Sequence, residues 1–120
     1  MPSRKPASEV QLSYKPENYA YTVIWSEEDQ IYIGRVAEFP LLAAHGDSPE
    51  AALKEITAVV RYVLEDLEES GEEIPAPLSK RHFSGMLRLR MPEQLHRTLA
   101  LEAAQQHVSL NQWINLKLSR

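Results

Sequence analysis

Residues 86–91 alternate strictly: Met86, Arg88 and Arg90 on one side, Leu87, Leu89 and Met91 on the other. That period of two predicts a short strand with one basic and one apolar face. Pro92 follows at a position suited to a helix start. Such a strand cannot stand alone, because its backbone N–H and C=O groups need a second strand. The residues after it read as helix, turn and helix. Leu95, Leu99 and Ala103 recur at four-residue spacing in the first helix. Ser109 caps the second, which carries Leu110, Trp113, Ile114, Leu116 and Leu118. One strand and two short helices bury too little apolar surface to fold alone.

Pairing the strand antiparallel with a second copy of itself removes both difficulties. The sequence therefore predicts an obligate homodimer, open to further assembly into a tetramer. Leu87, Leu89 and Met91 face the dimer core, and Leu95, Trp113 and Ile114 of the interlocked helices complete it. The opposite face presents Met86, Arg88 and Arg90 twice. A two-stranded ribbon fits the major groove of B-DNA, where arginine forks guanine O6 and N7.

The region before this tail has a different character. "YAYTVIW" (19–25) and "IYIGRVA" (31–37) are β-branched and aromatic, separated by the polar "SEEDQ". "LLAAH" (41–45) follows Pro40 as a third strand ending at Gly46, giving a three-stranded meander. "GDSPEAALKEITAVVRYVLEDLEESG" is the clearest helix. Ser48 is its N-cap, Pro49 its first residue, Glu50 its first-turn acid and Gly71 its stop. Leu53, Ile56, Val60, Val63, Leu64 and Leu67 form its apolar stripe, and Glu55, Glu65, Asp66, Glu68 and Glu69 its solvated face. Residues 72–83 hold two prolines and no periodicity, with Ile74 and Leu78 available as a strand or packing contact. The organisation expected is a flexible arm over 1–18, a domain over 19–78, a linker over 79–83 and a second domain over 84–120.

Charge divides along the same line. Residues 1–80 carry 7 Lys/Arg against 15 Asp/Glu, a balance of −8, while residues 81–120 carry 6 against 2, a balance of +4. An acidic front suits a basic protein, and a basic tail suits phosphates. There is no cysteine, which excludes disulfides and thiolate metal sites and fits a reducing compartment. No apolar run approaches the ~18 residues of a membrane span, and "MPSRKPASEVQLSYKPENY" lacks the apolar core of a secretory signal. A cytoplasmic protein with no membrane partner is expected.

Catalytic chemistry finds no support in the sequence. A metal nuclease needs carboxylates converging on Mg²⁺, yet "YAYTVIW" carries none. Glu27, Glu28 and Asp29 fall in a hairpin turn and Asp47 before a helix. His45, His82, His96 and His107 are scattered, without metal-ligand spacing. His82, beside Arg81, reads as a solvated linker residue, with a phosphate contact the alternative. Trp25 and Trp113 read as core. No catalytic residue, metal site or cofactor is expected, and the chain is read as a non-enzyme.

Two stretches carry a resemblance to a known family. "MLRLRMPEQLH…AAQQHVSLNQWI" resembles the ribbon–helix–helix DNA-binding domain, and "SLNQWI" is close to the second-helix signature of its HicB-type members. "GDSPEAALKEI…LEESGEEIPAP" resembles the N-terminal HicB module: a Gly-Asp-Ser turn, an "EAL" helix and a Gly…Ile-Pro-x-Pro exit. Together these cover about residues 19–118. The resemblance implies an α+β chain, with an N-terminal partial RNase H-like β-meander and helix followed by the dimerising ribbon–helix–helix domain. It implies an antitoxin of a type II HicA/HicB toxin–antitoxin system, whose front binds and neutralises a small HicA-like ribonuclease toxin. The ribbon would repress its own operon by holding operator double-stranded DNA. By position, Met86, Arg88 and Arg90 are then the base-reading face. Ser109, with the backbone amides of Leu110 and Asn111, forms the phosphate clamp. The sequence departs from the family at Gln106-His107-Val108, where glycine is common, and at Met86, where a polar reader is expected. A stand-alone repressor without a toxin, or a residual metal-dependent nuclease, are the alternatives.

Overall fold

The computed structural model describes residues 10–119. The chain falls into two compact units that meet in sequence between His82 and Phe83. The first holds a three-stranded antiparallel sheet and a long helix; the second holds two shorter helices. The class is α+β.

In the first unit, strand β1 (Tyr21–Ser26) pairs with β2 (Ile31–Val36), and β2 with β3 (Ala43–Gly46), in the order β1-β2-β3. The meander expected from the sequence is present. The first register sets Tyr21 opposite Val36, Val23 opposite Gly34 and Trp25 opposite Tyr32. The turn between β1 and β2 is held by Asp29 N–H donating to Ser26 Oγ at 3.1 Å, and Gln30 lies in the left-handed region at φ 53°. Trp25, expected in the core, is instead 44% exposed at the sheet's end. There it stacks edge-on against Tyr32 and donates its indole N–H to Glu27.

Helix α1 (Pro49–Ser70) begins and ends where its capping residues dictate. Ser48 Oγ accepts from Ala51 N–H at 3.1 Å, and Pro49 occupies the first turn. Gly71, at φ 71°, closes it by donating to Glu68 O while Glu72 donates to Leu67 O. The helix buries Ala52, Ile56, Val60 and Leu64 against Tyr19, Val36 and Ala44.

Two expectations for this helix fail. Leu53 is 42% exposed, not part of the buried stripe. The first turn lies too close to the sheet for a leucine: a β-carbon at Gly46 would stand 2.2 Å from Ala52 N, and one at Gly34 2.8 Å from Ala52 O. Ala52 therefore takes the sheet-facing position. Glu65, expected on the solvated face, is buried.

The flanks of the meander complete the unit. Of the stretch expected as an arm, residues 1–9 lie outside the described residues. Residues 10–18 are packed: Leu12 and Tyr14 lie against the core and Pro16 is buried in a 3-10 turn, Pro16–Asn18. Ser13 N–H donates to Glu68 of α1 at 2.6 Å. After α1, Ile74 packs on the core and Pro77 is fully buried.

A buried carboxylate joins these flanks. Glu38 is 8% exposed and accepts Ala20 N–H at 3.0 Å and Leu78 N–H at 2.9 Å. Beside it, the Tyr19 hydroxyl donates to Pro75 O at 2.6 Å. Burial, followed by the Glu38 carboxylate, pushes the Tyr19 hydroxyl up to about 12. Tyr21, donating to Pro16 O at 2.6 Å, is also raised, chiefly by burial.

Gly46→Ala should cost about 3 kcal/mol or more, because its methyl group meets helix backbone that cannot move aside. A urea titration following far-UV circular dichroism measures it, and an unchanged midpoint would contradict the close approach. The Tyr19 shift also fixes a pH response. The native phenol keeps its proton to about 12, whereas an unfolded tyrosine releases it near ~10. The native state thus binds more protons between these values. Stability is full below the lower value and falls as pH rises towards the upper. Urea midpoints taken at about pH 9 and about pH 11 should differ less in Tyr19→Phe than in the parent chain.

Candidate nucleic-acid interface

The second unit is built on helices α2 (Glu93–Gln105) and α3 (Leu110–Leu118). Pro92 precedes α2, and Glu93 lies in its positively polarised first turn. Between the helices, His107 N–H donates to Ala104 O and Val108 N–H to Ala103 O, with His107 at φ 58°. These paired bonds are the closure that usually recruits glycine. His107 therefore takes the left-handed position that glycine commonly fills, and the turn at Gln106-His107-Val108 closes without one.

Ser109 begins α3 with a reciprocal capping box. Its Oγ accepts Gln112 N–H at 3.0 Å, and its own N–H donates to Gln112 Oε1 at 3.0 Å. The box does not use the amides of Leu110 and Asn111, which open the helix at its positively polarised end. A polar pin joins the helices: Glu102 Oε1 accepts the Trp113 indole N–H at 3.2 Å and lies 3.6 Å from Lys117 Nζ. The same ammonium stands 5.4 Å from the Trp113 ring centroid. Trp113 is thus half-buried at the α2–α3 contact, next to half-buried Ile114.

The segment expected to be a strand is not one within a single chain. Residues 86–91 carry no strand assignment, and the described residues of this unit include no strand. The physical reason lies in the sequence: an isolated extended segment has no ladder to join. Arg88 and Arg90 are exposed, as are Met86 at 88%, Leu87 at 86% and Leu89 at 58%. Leu95 is exposed and Met91 half-buried. Among the described residues of this unit, Ala103 alone is buried. The residues singled out as base-reading and dimer-core therefore share one exposed segment and the adjoining helix faces.

Sequence reasoning missed Glu38 and Tyr19, the polar staple of the first unit. Glu38 sits beyond the end of β2, where nothing in the periodicity separates a buried carboxylate from a solvated one. Among the described residues no group of three or more His, Asp or Glu side chains could hold a metal ion. No helix among them is long and apolar enough to cross a membrane.

The chain thus joins an α+β sheet-and-helix unit to a short, capped helix pair. Residues 68–118 match the HicB family model, so the chain is similar to that family over this part of its length. No curated protein and no solved structure matches the chain.

The left-handed histidine yields a direct test. His107→Gly should stabilise the helix pair by about 0.5–1 kcal/mol, since glycine adopts this φ without a Cβ penalty. His107→Val should destabilise it. Hydrogen exchange of α2 and α3 amides measures both, and slower exchange in the valine variant would refute the strain.

Proposed function

We propose that the chain is an antitoxin that neutralises a small, basic HicA-like ribonuclease toxin and represses its own operon. The sheet-and-helix unit is the toxin-binding part, read as a partial RNase H-like module. The −8 balance of residues 1–80 supports a basic partner. The second unit is the DNA-binding part, a ribbon–helix–helix domain completed by a second copy.

One observation carries the DNA-binding proposal. Leu87 and Leu89 stand exposed at 86% and 58%, interleaved with exposed Arg88 and Arg90, on a segment without a partner strand. Antiparallel pairing of two such segments would satisfy the backbone and bury the leucines. Leu95, Met91, Trp113 and Ile114 would lie under the ribbon. Met86, Arg88 and Arg90 would then line one face twice over, with the arginines reading guanine edges and Met86 a groove wall or thymine methyl. At the start of α3, Ser109 and the amides of Leu110 and Asn111 would hold a backbone phosphate.

Arg88→Ala or Arg90→Ala should weaken binding to the operon's promoter DNA by about 1–3 kcal/mol per lost guanine contact and relax sequence preference. Helix content should stay unchanged. Leu89→Lys should abolish binding, because two ammonium groups would be buried in the paired core. Gel-shift titrations measure all three, and undiminished affinity in the arginine variants would sink the ribbon.

A further inference from the structure

The acidic residues of the front unit stop at Glu73. Residues 1–73 carry 6 Lys/Arg against 15 Asp/Glu, whereas residues 74–92 carry Lys80, Arg81, Arg88 and Arg90 and no carboxylate. Arg88 and Arg90 belong to the alternating segment. Lys80 and Arg81 precede it, in the stretch by which the chain leaves the first unit.

That stretch is pinned at its start and open beyond it. Leu78 N–H donates to Glu38 and the Tyr19 hydroxyl to Pro75 O, which fixes residues 75–78 on the first unit. A 3-10 turn, Leu78–Lys80, then turns the chain so that Arg81 Nε donates to Ala76 O at 2.9 Å. The guanidinium is braced by this bond, yet Lys80, Arg81 and His82 all remain exposed. Glu73 borders the same shallow groove as Arg81, but among the described residues neither Lys80 nor Arg81 has an ion pair. Two exposed cations without carboxylate partners leave a local charge that nothing within the unit balances.

We infer that Lys80 and Arg81 bind DNA phosphates beside the ribbon, making the exit stretch a second part of the DNA interface that is indifferent to sequence. This rests on the proposed ribbon and its DNA binding. Antiparallel strands are entered from opposite ends, so the two exit stretches approach the ribbon from its two ends. Five residues from Arg81 to Met86 reach at most about 17 Å, more than the ~12 Å width of the major groove. The cations of each copy can therefore meet phosphates bordering the groove. Such contacts add affinity without reading bases, and they offset the repulsion between DNA and the acidic first unit. A basic protein partner would be repelled by the same pair.

Salt titrations of the full-length protein test this, with a duplex of the operon's promoter and an unrelated duplex of equal length as probes. Each phosphate contact contributes about 0.9 to the slope of log affinity against log salt. Replacing Lys80 and Arg81 together by Gln removes four contacts per dimer and should reduce the slope by roughly 3.6. Affinity for both duplexes should fall by the same factor, so their ratio is kept, whereas Arg88→Ala lowers that ratio. Lys80→Gln alone, whose side chain makes no bond among the described residues, should reduce the slope by about 1.8 without disturbing the Arg81 brace. The exchange Lys80→Arg with Arg81→Lys keeps both charges and should keep the parent slope. An unchanged slope in Lys80→Gln, a changed ratio, or a slope lost in the charge-keeping exchange overturns the inference. If the parent binds the promoter and the slope ignores these substitutions, the exit stretch alone is refuted; if the parent binds neither duplex, the ribbon falls with it. Loss of toxin capture at an unchanged slope assigns the pair to the protein partner and refutes the phosphate contact.

Discussion

The approach of α1 to its sheet sets the shape of the first unit. Gly34 and Gly46 leave no room for a β-carbon, so the helix backbone rests almost on the strands at Ala52. Along the same face the helix sets Ile56, Val60 and Leu64 into the core, each almost fully buried. The close approach fixes the helix's height and rotation, because any turn about its axis would drive a larger side chain into the glycine notch. It also decides which residues are turned outward: Leu53 leaves the core, and the second face of the sheet receives no helix from this meander.

The second unit shows the opposite economy. Its helices are well capped, by a left-handed His107 at the turn and a reciprocal box at Ser109. Local order of this quality stands beside a shortage of interior, with Leu87, Leu89, Leu101, Leu116 and Leu118 all exposed. Secondary structure here depends on hydrogen bonds close in sequence, whereas the burial that normally outweighs chain entropy is scarce. A unit so arranged has a prepared backbone and much of its apolar surface uncovered.

How much of this was legible in the sequence follows from the range of each interaction. Ser48, Pro49 and Gly71 act within a turn of themselves, so the ends of α1 could be read directly. The alternation of Tyr19, Tyr21, Val23 and Trp25 in the sequence puts Tyr21 and Val23 on one face of β1, because a strand repeats every two residues. Leu53 misled because helical spacing records a face but not how near the neighbouring sheet stands. Trp25 was misplaced because alternation does not show where the covering helix stops. Glu38 and Tyr19 were invisible because their partners, at Leu78 and Pro75, lie 40 and 56 residues away. Segment 86–91 has the pattern of a strand but is not one in this structure, because alternation records which residues share a face and not whether a ladder exists for them to join.

The carboxylate of Glu38 has a consequence for how the chain is made. It takes one backbone amide from before β1 and one from after α1, so the meander and helix can both exist before it is satisfied. Until Leu78 has left the ribosome, the carboxylate lacks its second donor and the Tyr19 hydroxyl lacks Pro75 as acceptor. The front unit therefore locks only when synthesis of the tail is already under way. Its maturation and the emergence of the basic segment are consecutive events on the nascent chain, separated by only a few residues of translation.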